Sequence, residues 1–332
     1  MFSSVMFSPA SIRRSSAWLC LALAWGCASS PPPAAPATDP SAVLGPDEGE
    51  ESAGFSAGVD AISASEFEKA RGIFEKIAAE QPSNAKAHFY LGVARQNLEQ
   101  PEAAIESYEK ALSLDPKLTE AAVNLTAALL DAGEAERAAP VIEKALASDP
   151  QNPGLLYNRA LVASTLGRKA EAVGYYREAL AADPGNAEIK YGYAEALVTA
   201  GSTTEARTVL GELIQSDDVP VLASSARLLG RLDDFAGCIQ ALTRAIERQP
   251  SAELFVARGL CQHGKRDEGA ALADFQRAIQ KDGSYAPAHY YVGMHFKSQG
   301  KKKEARAALS RATELAGDEG VGKAAKRALE GL

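Results

Sequence analysis

The chain has 332 residues, 46% of them hydrophobic, which is enough apolar material for a large core. Its formal charge of −8 and pI near 5.3 exclude a nucleic-acid backbone as the main partner, because phosphate binding needs a basic face. Alanine is abundant and β-branched residues are sparse, a balance that favours helix, and no segment reads as a strand.

Taken in order, residues 1–27 precede the fold. Arg13 and Arg14 form a positive head, and residues 17–25 (AWLCLALAW) form an apolar run too short to span a bilayer. The run leads to Gly26-Cys27. This arrangement resembles a bacterial lipoprotein signal, in which a small residue precedes a cysteine that becomes diacylated. Ala24 stands where that family prefers leucine, with Leu23 one place earlier and bulky Trp25 after it. The resemblance implies lipidation of Cys27 and a membrane anchor. Ala28 follows the cysteine, where an aspartate would imply retention at the inner membrane, so the implied place is the periplasmic face of the outer membrane. The alternative is an ordinary secretory signal cut near Ala28, giving a soluble periplasmic or secreted protein. Ser15-Ser16-Ala17 lacks the hydrophobic residue of a twin-arginine signal. Cleavage before residue 28 would remove both tryptophans, Trp18 and Trp25, and leave 33 basic against 43 acidic residues, a net −10.

Residues 28–53 are rich in proline, alanine, serine and acids and carry no periodic apolar face. They read as a disordered or polyproline-type tether.

From residue 54 the pattern changes. In 88–116, two runs of helical apolar spacing, His88 to Leu98 and Ala103 to Leu114, flank Gln100-Pro101. Proline suits the first turn of the second helix, and Asp115-Pro116 ends it, because the residue before proline is pushed out of the α region. Small Gly92 and Ala104 mark the crossing of the two helices. Pro82, Pro116, Pro150 and Pro184 stand 34 residues apart, so the helical hairpin repeats. Gly92, Ala104, Tyr108, Ala111 and Pro116 are matched in register by Ala160, Ala172, Tyr176, Ala179 and Pro184, and by Gly259, Ala271, Phe275 and Ala278. The pattern resembles the tetratricopeptide repeat (TPR) family. That resemblance implies an all-α, right-handed superhelical solenoid of about eight helical hairpins over 54–318, closed by a capping helix over 319–332.

Some repeats depart from register. The first has only Gly58 in its first helix, and Ser65-Glu66-Phe67-Glu68 reads as a capping box for its second. Pro250 lies 66 residues after Pro184, two short of two repeats, which predicts a shortened first helix near 220–229. The repeat before Asp282-Gly283 is one residue short. In 321–332, Val321, Ala325 and Leu329 among charged residues read as the cap over the end of the stack.

Few residues suggest chemistry. His88, His263, His289 and His295 form no metal-binding spacing, so neither metal nor cofactor is expected. Gly317, Gly320 and Gly322 follow no strand and read as a helix-end linker, not a phosphate loop. Asn124-Leu125-Thr126 matches a glycosylation acceptor but falls inside a helix. Cys238 and Cys261 are expected either to be bridged or to stay as core thiols. No pair of carboxylates and no activated serine is spaced for catalysis, so an enzyme is not expected.

In the TPR family the first helix of each hairpin lines a concave groove. The places that resemblance assigns to the groove hold Phe89, Val93, Val123, Tyr157, Leu161, Tyr191 and Tyr290. These side chains are read either as an apolar peptide-binding surface or as packing between neighbouring repeats. The lysine and asparagine with which some members clamp a terminal carboxylate are absent from those places. What the resemblance implies is a protein-interaction scaffold that takes a protein or peptide segment. With the lipid anchor, its expected work is assembly of an envelope complex: a secretin, a pilus or motility machine, or outer-membrane insertion. An accessory factor of a peptidoglycan-modifying enzyme is the alternative.

Overall fold

The computed structural model describes residues 53–317 and 320–332. The leader, Cys27 and the tether expected from the sequence lie outside the described residues. Among those described there are seventeen helices and no strand. In chain order they are α1 (Ala53–Ser63), α2 (Phe67–Glu80), α3 (Ala85–Asn97), α4 (Pro101–Leu114), α5 (Thr119–Asp131), α6 (Ala135–Leu146), α7 (Pro153–Thr165), α8 (Lys169–Ala182) and α9 (Ala187–Ala200). Then follow α10 (Thr203–Leu213), α11 (Val219–Arg231), α12 (Phe235–Arg248), α13 (Ala252–Gly264), α14 (Glu268–Lys281), α15 (Ala286–Ser298), α16 (Lys302–Ala316) and α17 (Gly320–Glu330). The fold is an all-α solenoid of consecutive helix pairs ending in a single helix. It divides into two compact units, one holding α1–α9 and the other α10–α17.

Within the first unit each helix packs on the next, and the first helices of successive pairs also touch one another: α1 on α3, α3 on α5, α5 on α7, α7 on α9. Its N-terminal core is aromatic. Phe55 meets Phe74 and Tyr90 edge-on at 5.4 and 5.5 Å, and Phe74 stacks on Tyr90 at 5.2 Å. Asn84, Asn152 and Asn186 cap α3, α7 and α9 by accepting from N–H groups of the first turn.

The pairing within a hairpin rests on one recurring contact. A glycine on the first helix faces a large side chain on the second: Gly58 faces Phe74, Gly92 faces Tyr108, Gly259 faces Phe275 and Gly293 faces Leu309. A Cβ at Gly92 would lie 2.5 Å from the Tyr108 ring. Gly92 is thus at the helix crossing, as the repeat register predicts, and its immediate partner is the tyrosine.

The turn between paired helices is equally regular. Ser65, Glu99, Gly133, Gly167, Gly201, Asp233, Arg266 and Gly300 all take positive φ, from 56° to 86°. The N–H one residue later donates to the carbonyl five residues before it, as in Gln100 to Arg95 at 3.0 Å and Asp267 to Gln262 at 2.9 Å. This is the Schellman closure of a helix C-terminus. It overturns the capping box: Ser65 is spent on the left-handed turn, and α2 starts at Phe67 with no side-chain cap from Glu66. The shortened first helix is also corrected. α11 has 13 residues, like its counterparts, while α10 has 11, so the missing length lies there.

The second unit is stapled and buttressed. Cys238 on α12 and Cys261 on α13 are bridged, both fully buried, with Cα atoms 6.2 Å apart. Asp274, also fully buried, accepts from Arg258 Nε and Nη2 at 2.7 and 2.9 Å and from Arg277 at 2.9 Å, so the buried charge is satisfied. α17 covers the α15–α16 pair through Ala325 and Ala328. Lys297 and Lys302 donate to the Ala328 and Leu332 carbonyls at 2.6 and 2.7 Å, where cations suit a helix C-terminus.

Candidate functional site

A solenoid of this kind offers the face built by its first helices. The sequence places seven apolar residues there, and the structure buries six of them. Phe89 is 0% exposed, Val123 and Tyr157 1%, Val93 and Leu161 4%, and Tyr290 6%. Only Tyr191 keeps partial exposure. Of the two readings left open by the sequence, the apolar peptide-binding surface is corrected for these six, which pack inside the fold: Phe89 lies against the rings of Tyr90 and Tyr108 at 5.1 and 6.0 Å, and Tyr290 against Tyr291 at 5.1 Å. The physical reason is how closely neighbouring first helices approach. The Asn158 amide of α7 donates to the Val123 carbonyl of α5 at 3.0 Å, leaving no room for intervening side chains to stand clear.

The same face is polar on α9. Glu188, Tyr191, Gly192 and Glu195 fall at i, i+3, i+4 and i+7, one stripe of the helix. Asn186 caps the helix and fixes where the stripe begins. The Tyr157 hydroxyl of α7 donates to Glu188 Oε1 at 3.3 Å. Partial burial pushes the Glu188 carboxyl above its ordinary range, offset in part by that hydrogen bond. Burial first, then the neighbouring Tyr176 and the negative charges of Glu188 and Glu195, push the Tyr157 hydroxyl's pKa up. Both carboxylates also act on Tyr176, which sits edge-on to Tyr157 at 6.0 Å.

Gly192 explains why this polar cluster forms here. At the corresponding place of the two preceding repeats stand Asn124 and Asn158, and Asn124 lies beside the Tyr108 hydroxyl. At Gly192 the space is taken by Tyr176, whose ring and hydroxyl lie 2.6 to 2.9 Å from where a Cβ would be. The glycine thus lets the Tyr176 ring and hydroxyl close up against α9, where the charges of Glu188 and Glu195 act on it. Sequence reasoning passed over Glu188 and Glu195; the available signal was the asparagine-to-glycine change at that place of the repeat.

The remaining candidates are structural. His88 and His289 share a repeat position, and each ring Nε2 meets a carbonyl of the preceding turn, Pro82 at 3.2 Å and Gly283 at 3.0 Å. Glu268 lies between His263 Nδ1 at 2.8 Å and His295 Nδ1 at 3.6 Å. Among the described residues no group of three His, Cys, Asp or Glu is placed to hold a metal ion. Asn124 of the glycosylation-like triplet is buried. A cavity of about 40 Å³ bordered by α6, α7 and α8 is lined by Arg159, Arg168, Glu143 and Tyr175. Arg159 lies 3.9 Å over the Tyr175 ring and pairs with Glu143 and Glu178, so its charge is matched inside the fold. No described helix is long and apolar enough to cross a membrane.

Two sequence models described as "Tetratricopeptide repeat" match residues 60–219 and 224–287. Among curated proteins, human tetratricopeptide repeat protein 13 is 32% identical over 92 residues, covering 28% of this chain and only 11% of that protein. Among solved structures, a tetratricopeptide repeat protein from Parabacteroides merdae superposes with a TM-score of 0.54 at 19% identity, covering 73% of this chain and 97% of its own. Yeast Tom70 reaches 0.57 at 15% identity, covering 97% of this chain and 71% of its own. PilF of Pseudomonas aeruginosa reaches 0.51 at 22% identity, covering 61% and 93%. At these identities the likeness is one of fold.

Proposed function

The chain belongs to the tetratricopeptide repeat family, and on that premise we propose that it is a non-enzymatic scaffold that binds a segment of a partner protein on the face of its first helices. The observation that carries the reading is the repeat itself: successive helix pairs along the chain, matched by the family over residues 60–219 and 224–287. A solenoid keeps no central core for a catalytic cleft and instead presents an extended surface. Of the expected groove residues, Tyr191 is the partly exposed one and forms the centre of the proposed face, while Phe89, Val93, Val123, Tyr157, Leu161 and Tyr290 set its shape from beneath.

The scaffold works at the bacterial envelope, anchored through Cys27 at the periplasmic face of the outer membrane, where it supports assembly of an envelope complex. Two features support this part. One is the charged head, apolar run and cysteine of residues 13–27. The other is the buried Cys238–Cys261 bridge, since disulfides persist in oxidising compartments and are rare in the cytosol. Palmitate labelling of cells tests the anchor: wild type should incorporate label and fractionate with outer membranes, and Cys27→Ser should do neither. Absence of label on the wild type would remove the anchor and leave the scaffold reading in place.

A further inference from the structure

Cys238 is the fourth residue of α12, and at that place every other second helix among the described residues carries alanine, as at Ala104, Ala172, Ala271 and Ala305. Those alanines are buried, so the stack packs there without sulfur, and the cysteine contributes a bond more than a volume. Its partner Cys261 lies on the first helix of the next pair, so the bond joins two neighbouring pairs. Both cysteines are 0% exposed. The packed helices close over them. Arg258 Nη1 of α13 donates to the Thr243 hydroxyl of α12 at 3.1 Å. At Gly264, the last residue of α13, a Cβ would lie 2.4 Å from the ring of Phe235, the first residue of α12. Thiol–disulfide exchange needs one sulfur to approach another, and neither of these sulfurs can be reached from outside while α12 and α13 are packed.

We infer that Cys238 and Cys261 form an oxidative latch: an external disulfide oxidises them while α12 and α13 are apart, and closure of the joint then shields the bond from reductants. In the open chain the thiolate of one cysteine attacks the external disulfide, forming a mixed disulfide and expelling one external thiolate. The thiolate of the other cysteine attacks the protein sulfur of that mixed disulfide, forming the Cys238–Cys261 bond and expelling the second external thiolate. Two protein thiols are oxidised, one external disulfide is reduced, and the two protons pass to solvent or to the expelled thiolates. Residues 28–332 hold no third cysteine, so this exchange has one internal product and nothing to reshuffle. The external disulfide is that of a small molecule or of an oxidoreductase; the chemistry is the same. On the envelope reading such oxidants act outside the cytosol, so the chain reaches them with this joint still open.

The test counts free thiols by maleimide labelling of purified residues 28–332, which contain every described helix. The reduced chain in urea is given oxidised glutathione or a purified disulfide oxidoreductase, then diluted out of urea. Either oxidant should give bridged protein, and success of one alone names the source; free thiols after both overturn the latch. Bridged protein is then treated with dithiothreitol. Without urea its reduction should be at least about tenfold slower than in urea, since the joint must first open. Gly264→Leu, which drives Phe235 aside at the joint, should be reduced at least about tenfold faster than wild type, with Gly264→Ala as the milder version should the first fail to fold. Gly92→Leu, an overpacking in the other unit, should keep close to the wild-type rate, because each pair is coupled chiefly to its neighbours. Equal rates with and without urea, no acceleration by the Gly264 variants, or equal acceleration by Gly92→Leu overturn the latch. All of these outcomes leave the scaffold reading standing.

Discussion

At Ser65, Glu99, Asp233 and Arg266 the backbone adopts the same left-handed turn that Gly133, Gly167, Gly201 and Gly300 make elsewhere. An L side chain in that region costs roughly 1 kcal/mol, a strain that glycine avoids. Glu99→Gly and Arg266→Gly should therefore raise the melting temperature by about 2 °C each, and Gly167→Ala should lower it by a similar amount. Thermal melts followed by circular dichroism check the pair of signs; a fall in both glycine variants would show that the side chains matter more than the turn. This turn was only half legible in the sequence. Glycine announces it at four hairpins, but nothing in a serine, glutamate, aspartate or arginine announces it at the others. The Ser65 capping box failed for that reason: local sequence offered two roles for one residue, and closure of the preceding helix won.

At the scale of the helix pair, the register of small and large residues was readable because it is fixed by contact. Gly92 has no room for a Cβ against Tyr108, whereas Gly174 in the middle of α8 has nothing within 4 Å. The two should respond oppositely to one extra methyl. Gly174→Ala should stabilise by about 0.5–1 kcal/mol through helix propensity. Gly92→Ala should destabilise despite the same propensity gain, and Gly92→Leu should cost about 1–3 kcal/mol or more, since the ring must be driven out of place. Matching melting temperatures for Gly92→Ala and Gly174→Ala would remove the glycine-on-ring contact from the account. What the pattern of a pair does not reveal is how near the next pair comes. Phe89 and Tyr157 occupy places that face inward on a single hairpin, and only contact between successive first helices shows that they are buried. Conversely, Glu188 looks like part of any solvated helix face until the Tyr157 hydroxyl of the preceding first helix is seen to donate to it.

Over the whole molecule, stability is a chain of neighbour-to-neighbour terms, so a local staple acts on its own unit first. The Cys238–Cys261 bridge closes a 23-residue separation within α10–α17. Replacing both cysteines by serine should cost about 3 kcal/mol on loop-closure grounds, with the loss falling on that unit. Hydrogen exchange followed residue by residue should show α12–α14 opening sooner while α1–α8 keep their protection; uniform loss across the chain would contradict a neighbour-coupled solenoid.

The central claim, that a partner segment lies on the face of the first helices, is open to one direct measurement. A photo-crosslinking amino acid placed at Tyr191, and in a second protein at exposed Lys110 on the second helix α4, is irradiated in cells with the membrane intact. The account predicts a discrete protein adduct from position 191 and none of that mass from position 110. A discrete adduct from 110 with none from 191 would contradict it and move the binding surface to the second helices.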